Sequence, residues 1–493
     1  MDRHNFTATD TVAYIWNELS LPPHALDSLR LPLTTDTNHV PSSFKITHLA
    51  QSSVALTALS AALLRSLRDS VPVPTTTVES EHATVEFLSE RLYSLGNKLT
   101  TGNYNPIGGL YPTSDGYIRV HDSFPHHRAG AKKLLGCPEN EEDRSKIAAG
   151  AKKWAAIDLE TVAIDAGLAM AALRTYEQWD VLPQAQAVAD FPILIRKIPD
   201  SKRESGLFQP SLAAIDAAAG GVQKCLQGLR VVEMSRVIAT PVAGKTLAVH
   251  GADVLWVTSP KLPDLPARDR DLSRGKRTIQ LDINDSDDRK TLDGLLETAH
   301  VFLQGFRPGA LASRGLTADQ LAQRSQQGIV CANLSAYGPS GPWHERRGFD
   351  SLVQTCSGID VSEAEHYGDC QASKELPCQA LDHASGYFLA AGINIALYKQ
   401  ATEGGSYEVN VSLAATAKYL RSLGQFEGKS GFASKGYTKG YEPICAIPDK
   451  FFEKRDTEFG LLKAVKHSAQ VEGVEVGWDL MPKALGSDEP KWV

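Results

Sequence analysis

The sequence predicts an α/β protein built on a doubly wound parallel sheet, preceded by a smaller α+β unit and a mostly helical opening segment. Two observations carry this. From Gly228 onward, short apolar strands alternate with helices, the pattern of parallel strands joined by crossover helices. Before residue 200 that alternation is missing. Residues 12–100 read as mostly helical, and Asp115-Gly116 is a turn signal between two extended runs, 108–113 and 117–121.

In chain order, residues 49–67 are rich in Ala, Leu and Ser and predict a closely packed helix. Helical patterns follow the hairpin at 128–135, 141–155 and 158–173, and Pro183 and Pro192 punctuate the end of this region. Residues 200–225 read as a linker plus helix. Strands are then expected at 229–234, 253–257, 279–281, 301–303 and 329–334, with helices at 240–250, 286–298 and 317–325. A small-residue helix at 384–397 and an extended segment at 407–412 close the unit. Ligands in such sheets sit at the carboxyl ends of the strands. Here those ends carry Ser235-Arg236, Thr258-Ser259, Gln304-Gly305-Phe306-Arg307 and Ser335-Ala336-Tyr337. Residues 48–63 repeat the rhythm of 382–397 at an offset of 334, and an extended segment follows each, at 75–80 and 407–412. His48 stands where the later copy has Asp382. The expected domains are 1–104, a degenerate partial copy; 105–200, a small domain; 201–227, a linker; 228–425, the catalytic unit; and 426–493, a Gly- and Lys-rich loop with a closing segment.

At 493 residues the chain predicts two to four domains, and its 42% hydrophobic and 22% charged content is ordinary for a globular protein. A net charge of −7 gives a nucleic-acid partner no electrostatic support. The seven cysteines are scattered and include no Cys-x-x-Cys pair, so neither a zinc site nor a disulfide framework is expected. His126 and His127 are adjacent and diverge, so no metal site is expected there either. Residues 1–6 lack a hydrophobic signal core, and no apolar run is read as a membrane span, so no membrane partner is expected. The expected location is the cytoplasm, with an organelle left open.

Asp382 is a lone carboxylate read on the short link before helix 384–397. A helix N-terminus holds an anion well, which suits a nucleophile that attacks an activated acyl group. The same placement is common for a plain N-cap aspartate.

Five motifs in order give that residue a context. They are 229–241 (Leu229-Arg230-Val231-Val232-Glu233-Met234 onward), 250–257, Ser273-Arg274-Gly275-Lys276-Arg277, Gly305-Phe306-Arg307-Pro308-Gly309, and Arg347-Gly348-Phe349-Asp350 before Asp382. Together, residues 228 to about 420 resemble the class III CoA-transferases, which include formyl-CoA and carnitine CoA-transferases and α-methylacyl-CoA racemases. Residues 105–195 are similar to the small domain of that family, which ordinarily follows the large one, so the chain resembles a fused, pseudo-duplicated pair. The resemblance implies a Rossmann-like CoA-binding domain, Asp382 as nucleophile, and coenzyme A entering as acyl-CoA with a carboxylic acid as the second substrate. It also implies a pseudo-dimeric monomer or a homodimer, and a catalytically dead first copy. Arg236, Ile238, Ala239, Lys276, Arg277, Phe306, Arg307 and Arg347 fall on positions expected near CoA, with Arg274 a further cationic candidate. Three departures stand out: Gly305 replaces the expected Asn, Ser313 with Arg314 replaces a single basic residue, and Thr258 replaces an acid. Racemization in the family uses a histidine where this chain has Phe349, which cannot carry a proton. The competing readings are a racemase-like enzyme and a non-catalytic CoA-binding paralogue. For the acid substrate, Arg119 and Arg128 are the only evident clamps in 105–195. Residues 424–441 read as a lid or an open loop.

Overall fold

A seven-stranded sheet organises the second half of the chain. Its strands are, in spatial order, Arg277–Gln280, Asp253–Thr258, Arg230–Met234, Val301–Gln304, Val330–Ser335, Ser406–Ser412 and Leu194–Ile198. The first six are parallel and the last is antiparallel. Numbered along the chain, the parallel strands run 3-2-1-4-5-6, with the switch point between Arg230–Met234 and Val301–Gln304. The central strands are rich in apolar residues because both faces of the sheet are covered there. Val231 and Leu303 face the large central core, while their neighbours Val232 and Phe302 face the helices Ser286–Glu297 and Ala318–Arg324. The computed structural model describes residues 1–32, 38–100, 102, 105–199, 201 and 224–493. Most of the linker expected at 201–227 lies outside these residues.

The smaller unit is α+β. Its strands Gly109–Pro112, Tyr117–Val120 and Met170–Ala172 form an antiparallel sheet with its own core under three helices, Pro125–Leu134, Arg144–Ala151 and Ala156–Asp165. The helix expected to reach residue 173 stops at Asp165, and Met170–Ala172 instead pairs with Tyr117–Val120. A short apolar run bounded by a turn suits a buried strand as well as a helix, and the open edge of the hairpin decides between them.

The repeat is exact in length. The helices Ile46–Asp69 and Ala380–Glu403 each have 24 residues, and both their first and last residues are 334 apart. They pack on each other through small side chains at the centre of the molecule. Asn394 donates to Ser60 Oγ at 3.2 Å, across those same 334 positions, and Thr57 Oγ1 donates to the Tyr387 carbonyl at 2.8 Å. Each helix is followed by a strand and a second helix: Thr76–Val78 and Ser80–Glu86, then Ser406–Ser412 and Leu413–Ser422. The two copies exchange closing strands. Leu194–Ile198, which follows the first copy and the small unit, pairs antiparallel with Ser406–Ser412 of the second. Ala469–Val471, which follows the second copy, pairs antiparallel with Thr76–Val78 of the first. The segment that reads as a lid or open loop is tied into this exchange, because the Phe426 N–H donates to the Ser43 carbonyl at 2.7 Å.

Ile46–Asp69 is long and apolar enough to cross a bilayer, contrary to the reading that no such run exists. Its apolar faces are covered by the protein itself: the helix is buried from Ile46 to Leu64 apart from His48, which is only partly exposed.

Candidate functional site

Where the strands end, at the switch point, the chain leaves a cavity of about 430 Å³. Arg236 and Val237, Thr258, Phe306 and Arg307 line it, at the carboxyl ends of three parallel strands. Ser313 and Arg314, the departures noted in the sequence, also face it. Gly305 has a packing reason: a Cβ there would lie 2.3 Å from Thr240 Oγ1, so the helix Ala239–Val249 sits too close for any side chain. Val237 holds a left-handed φ of 74°, a conformation that disfavours a β-branched residue and that collects at functional turns.

Of the residues expected around CoA, Arg236, Phe306 and Arg307 line the cavity. The Arg236 guanidinium donates to the Pro263 carbonyl and lies 4.3 Å from the ring centre of Phe124, so the small unit contributes an aromatic floor beneath a cation. Arg307 donates to the Glu345 carbonyl at 3.2 Å, and Arg347 lies against Gly167 of the small unit. Ile238 and Ala239 are buried just beyond the cavity, where the chain turns into the helix Ala239–Val249. Lys276 and Arg277 do not line the cavity. Lys276 Nζ is 2.8 Å from Glu233 Oε2 beneath that helix, and Arg277 makes a forked pair with Asp253 at 2.7 Å. Arg274 is likewise enclosed, against Asp271 at 2.6 Å and Glu453 at 2.9 Å.

Asp382 does not line the cavity; the helix Pro266–Leu272 carries both Asp269, which faces the cavity, and Arg268, whose charge opposes the rise of the Asp382 pKa. Asp382 is not on a link before the core helix. The helix begins at Ala380, which puts Asp382 inside the first turn, and the N-cap residue, Gln379, makes no side-chain bond. The carboxylate that caps the helix comes from 32 residues earlier: Asp350 Oδ2 accepts the Asp382 N–H at 2.9 Å. Asp382 is thereby released from capping. The N–H of His383 already donates to the Gln379 carbonyl, so Ala384, Ser385 and Gly386 lie within the helical ladder and their N–H groups are not free to hold an oxyanion. The small size of Gly386 serves packing instead, since a Cβ there would meet the Ala239 carbonyl at 2.5 Å.

Asp382 is 7% exposed. Burial, and then the neighbouring Asp350, push its pKa well above the ordinary carboxylate value. Burial also carries Asp350 up to about 6. Two adjacent buried carboxyls resist holding two charges, so the pair keeps a proton where isolated carboxylates would have lost it.

The first copy reaches this site. Glu90 Oε2 lies 3.0 Å from His383 Nε2, and Arg91 donates to the Pro377 carbonyl at 2.9 Å. Burial opposes the charge on Glu90, yet the hydrogen bond and charge of His383, with Arg91, hold its pKa down at about 2. From the small unit, His121 stacks on Phe349 at 3.7 Å. His48, at the matching place in the first copy, instead bonds Thr11 Oγ1 at 2.8 Å. Sequence reasoning did not identify Glu90 or Arg268, neither of which lies in a motif, and Asp350 was visible only as the end of Arg347-Gly348-Phe349-Asp350.

A doubly wound sheet, a cavity over its switch point and a pair of buried carboxyls define an α/β ligand-binding class. Sequence comparison narrows that class. Residues 226–437 match the profile of CoA-transferase family III. The chain is 30% identical over 288 residues to a CaiB/baiF CoA-transferase family protein of Caenorhabditis elegans, a match spanning 54% of this chain and 81% of that protein. This chain belongs to CoA-transferase family III. It is also 30% identical over 319 residues to an acyl-CoA transferase of Gibberella moniliformis, covering 62% of this chain and 55% of that one. To a cinnamoyl-CoA:phenyllactate CoA-transferase of Clostridium sporogenes it is 32% identical over 207 residues, 39% of this chain and 50% of that one. The chain thus spans about half the length of these two transferases.

Proposed function

We propose that this protein moves coenzyme A from an acyl-CoA to a carboxylic acid through covalent intermediates on Asp382. The observation that carries the reading is a buried carboxyl freed from capping by Asp350, on a helix whose Gly386 packs against Ala239, two residues beyond the cavity-lining Val237. The Asp382 carboxylate attacks the thioester carbonyl and expels CoA thiolate, leaving a mixed anhydride. The thiolate then attacks the Asp382 carbonyl, which releases the donor as a free carboxylate and leaves an aspartyl-CoA thioester. The acceptor carboxylate attacks that carbonyl, expelling the thiolate again, and the thiolate takes the acceptor acyl group and restores Asp382. Each step exchanges one activated acyl for another, so the thioester's energy is kept provided water is excluded. Burial of Asp382 supports that exclusion.

CoA would occupy the cavity, with Arg236 and Arg307 near its phosphates and Phe306 against its apolar parts. Replacing Arg236 with Ala is expected to raise the KM for acyl-CoA about tenfold, the size of one charge-assisted contact, with little change in the KM for the acid. Steady-state kinetics with each substrate varied in turn checks this.

The carboxyl pair predicts a pH dependence. Attack needs the charged form of Asp382, so the rate of acyl-enzyme formation should rise with pH through an apparent pKa above the ordinary carboxylate value. Asp350 raises the pKa of Asp382, so Asp350→Asn should move that limb to lower pH. A pH–rate profile of acyl-enzyme formation, trapped with hydroxylamine, reads both. An unmoved limb in the variant would show that Asp350 does not tune the nucleophile.

The direct test is intact-protein mass spectrometry after incubation with a panel of acyl-CoAs, then hydroxylamine. A label on Asp382 supports transfer. Exchange of α-deuterium without a label favours the racemase reading, and CoA binding with neither favours a non-catalytic paralogue.

A further inference from the structure

We propose that Arg268 is the binding residue for the carboxylate of the acid substrate. The proposal rests on the transferase reading and deepens it. Among the described residues six arginines are buried: Arg3, Arg119, Arg174, Arg268, Arg274 and Arg277. Five are paired with carboxylates, with Asp190, Glu375, Glu160, Asp271 and Asp253 respectively. Arg268 differs. It is 6% exposed, its Nε is buried without a hydrogen-bond partner, and among the described residues no carboxylate oxygen pairs with it. A buried charge without a partner opposes folding, and such groups are kept where a ligand completes them.

The surroundings say which ligand. Arg268 sits on the short helix Pro266–Leu272, whose N-cap residue Leu265 lines the cavity. Its helix is tied to the start of the Asp382 helix through neighbouring residues, since Ser89 donates to Asp271 at 2.8 Å and Glu90 lies 3.0 Å from His383; its charge acts on both Asp382 and His121, and Asp269 beside it lines the cavity. His121 is held neutral, first by burial and then by the Arg268 charge, so it brings no competing cation. A guanidinium is a planar fork that matches a carboxylate. The two clamps read from the sequence are engaged elsewhere: Arg119 with Glu375 at 2.5 Å and Arg128 with Asp122 at 3.7 Å. The acceptor acid therefore approaches Asp382 with its carboxylate on Arg268. The donor acid leaves from the same place.

The test uses the full chain and needs no turnover. Acetate, hexanoate and benzoate are titrated against wild type, Arg268→Gln and Arg268→Lys while Tm is followed. At least one acid is expected to raise the wild-type Tm, with the rise lost in Arg268→Gln and partly restored in Arg268→Lys. Without ligand, Arg268→Gln should melt no lower than wild type, because the charge it removes has no partner. In turnover, Arg268→Gln should raise the KM for the acid about tenfold or more. Equal Tm shifts in wild type and Arg268→Gln, no shift with any acid, or a lower kcat with unchanged acid KM would overturn the proposal. Acid binding that depends on Arg268 in a protein whose Asp382 is never labelled would leave this assignment standing and defeat the transferase reading instead.

Discussion

Asp382→Ala is expected to abolish the hydroxylamine-sensitive acyl adduct and to lower kcat by at least about 10³-fold, the scale of losing a covalent nucleophile. The fold should survive. Asp350, not Asp382, satisfies the first turn of the core helix, and its acceptor contact is to the backbone N–H of residue 382, which alanine retains. Stability offers a second check. The folded pKa of Asp382 lies above its unfolded value, so folding favours the neutral form, and stability is lost as pH rises from the unfolded value, near 3.9, through the folded one. At neutral pH the carboxyl therefore opposes folding, and Asp382→Ala should melt no lower than wild type. A variant that still forms the adduct would remove Asp382 from the mechanism. One that loses activity only by unfolding would reassign the residue to structure.

Lys276→Met is expected to destabilise the protein by about 3–5 kcal/mol, the cost of leaving one member of a buried ion pair alone. Lys276 Nζ has Glu233 at 2.8 Å and the Pro241 carbonyl at 2.8 Å, and it lies 4.6 Å from the ring centre of Trp256. Burial pushes the lysine pKa down and the glutamate pKa up, and their mutual attraction opposes both shifts. Removing the lysine leaves Glu233 buried under the helix Ala239–Val249 with only Ser235 as a donor, at 2.5 Å. The urea midpoint should fall accordingly. The double variant Lys276→Met with Glu233→Leu should recover much of the loss, because well-packed apolar side chains often replace a buried pair at little cost. The experiment also separates two roles for one motif residue. As a phosphate ligand, Lys276 would raise the KM for acyl-CoA when replaced and leave the midpoint alone. As the structure places it, the effects are reversed.

The contrast between Lys276 and Arg236 shows where sequence reading stops. Both are cations in motifs that resemble one family, and both were expected near CoA. Arg236 follows a strand end directly, so local order suffices to put it at the cavity. Lys276 precedes a strand, and its direction depends on a carboxylate 43 residues earlier. The small unit shows the same limit, since the apolar run at Met170–Ala172 became a strand only because a hairpin edge stood open beside it.

By itself the sequence determined the strand and helix alternation, the strand ends that build the cavity and the repeated helix at an offset of 334, and it singled out Asp382 as a candidate. Those are short-range properties: hydrophobic period, turn residues and motif order can be read along a few residues at a time. Only the tertiary structure decided that Asp350 caps the core helix, that Glu90 of the first copy holds His383, that the two copies exchange closing strands, and that Arg268, among the buried arginines of the described residues, is the one without a carboxylate partner. Burial and charge neutralisation are settled between residues far apart in the chain, and no local pattern records which distant partner arrives.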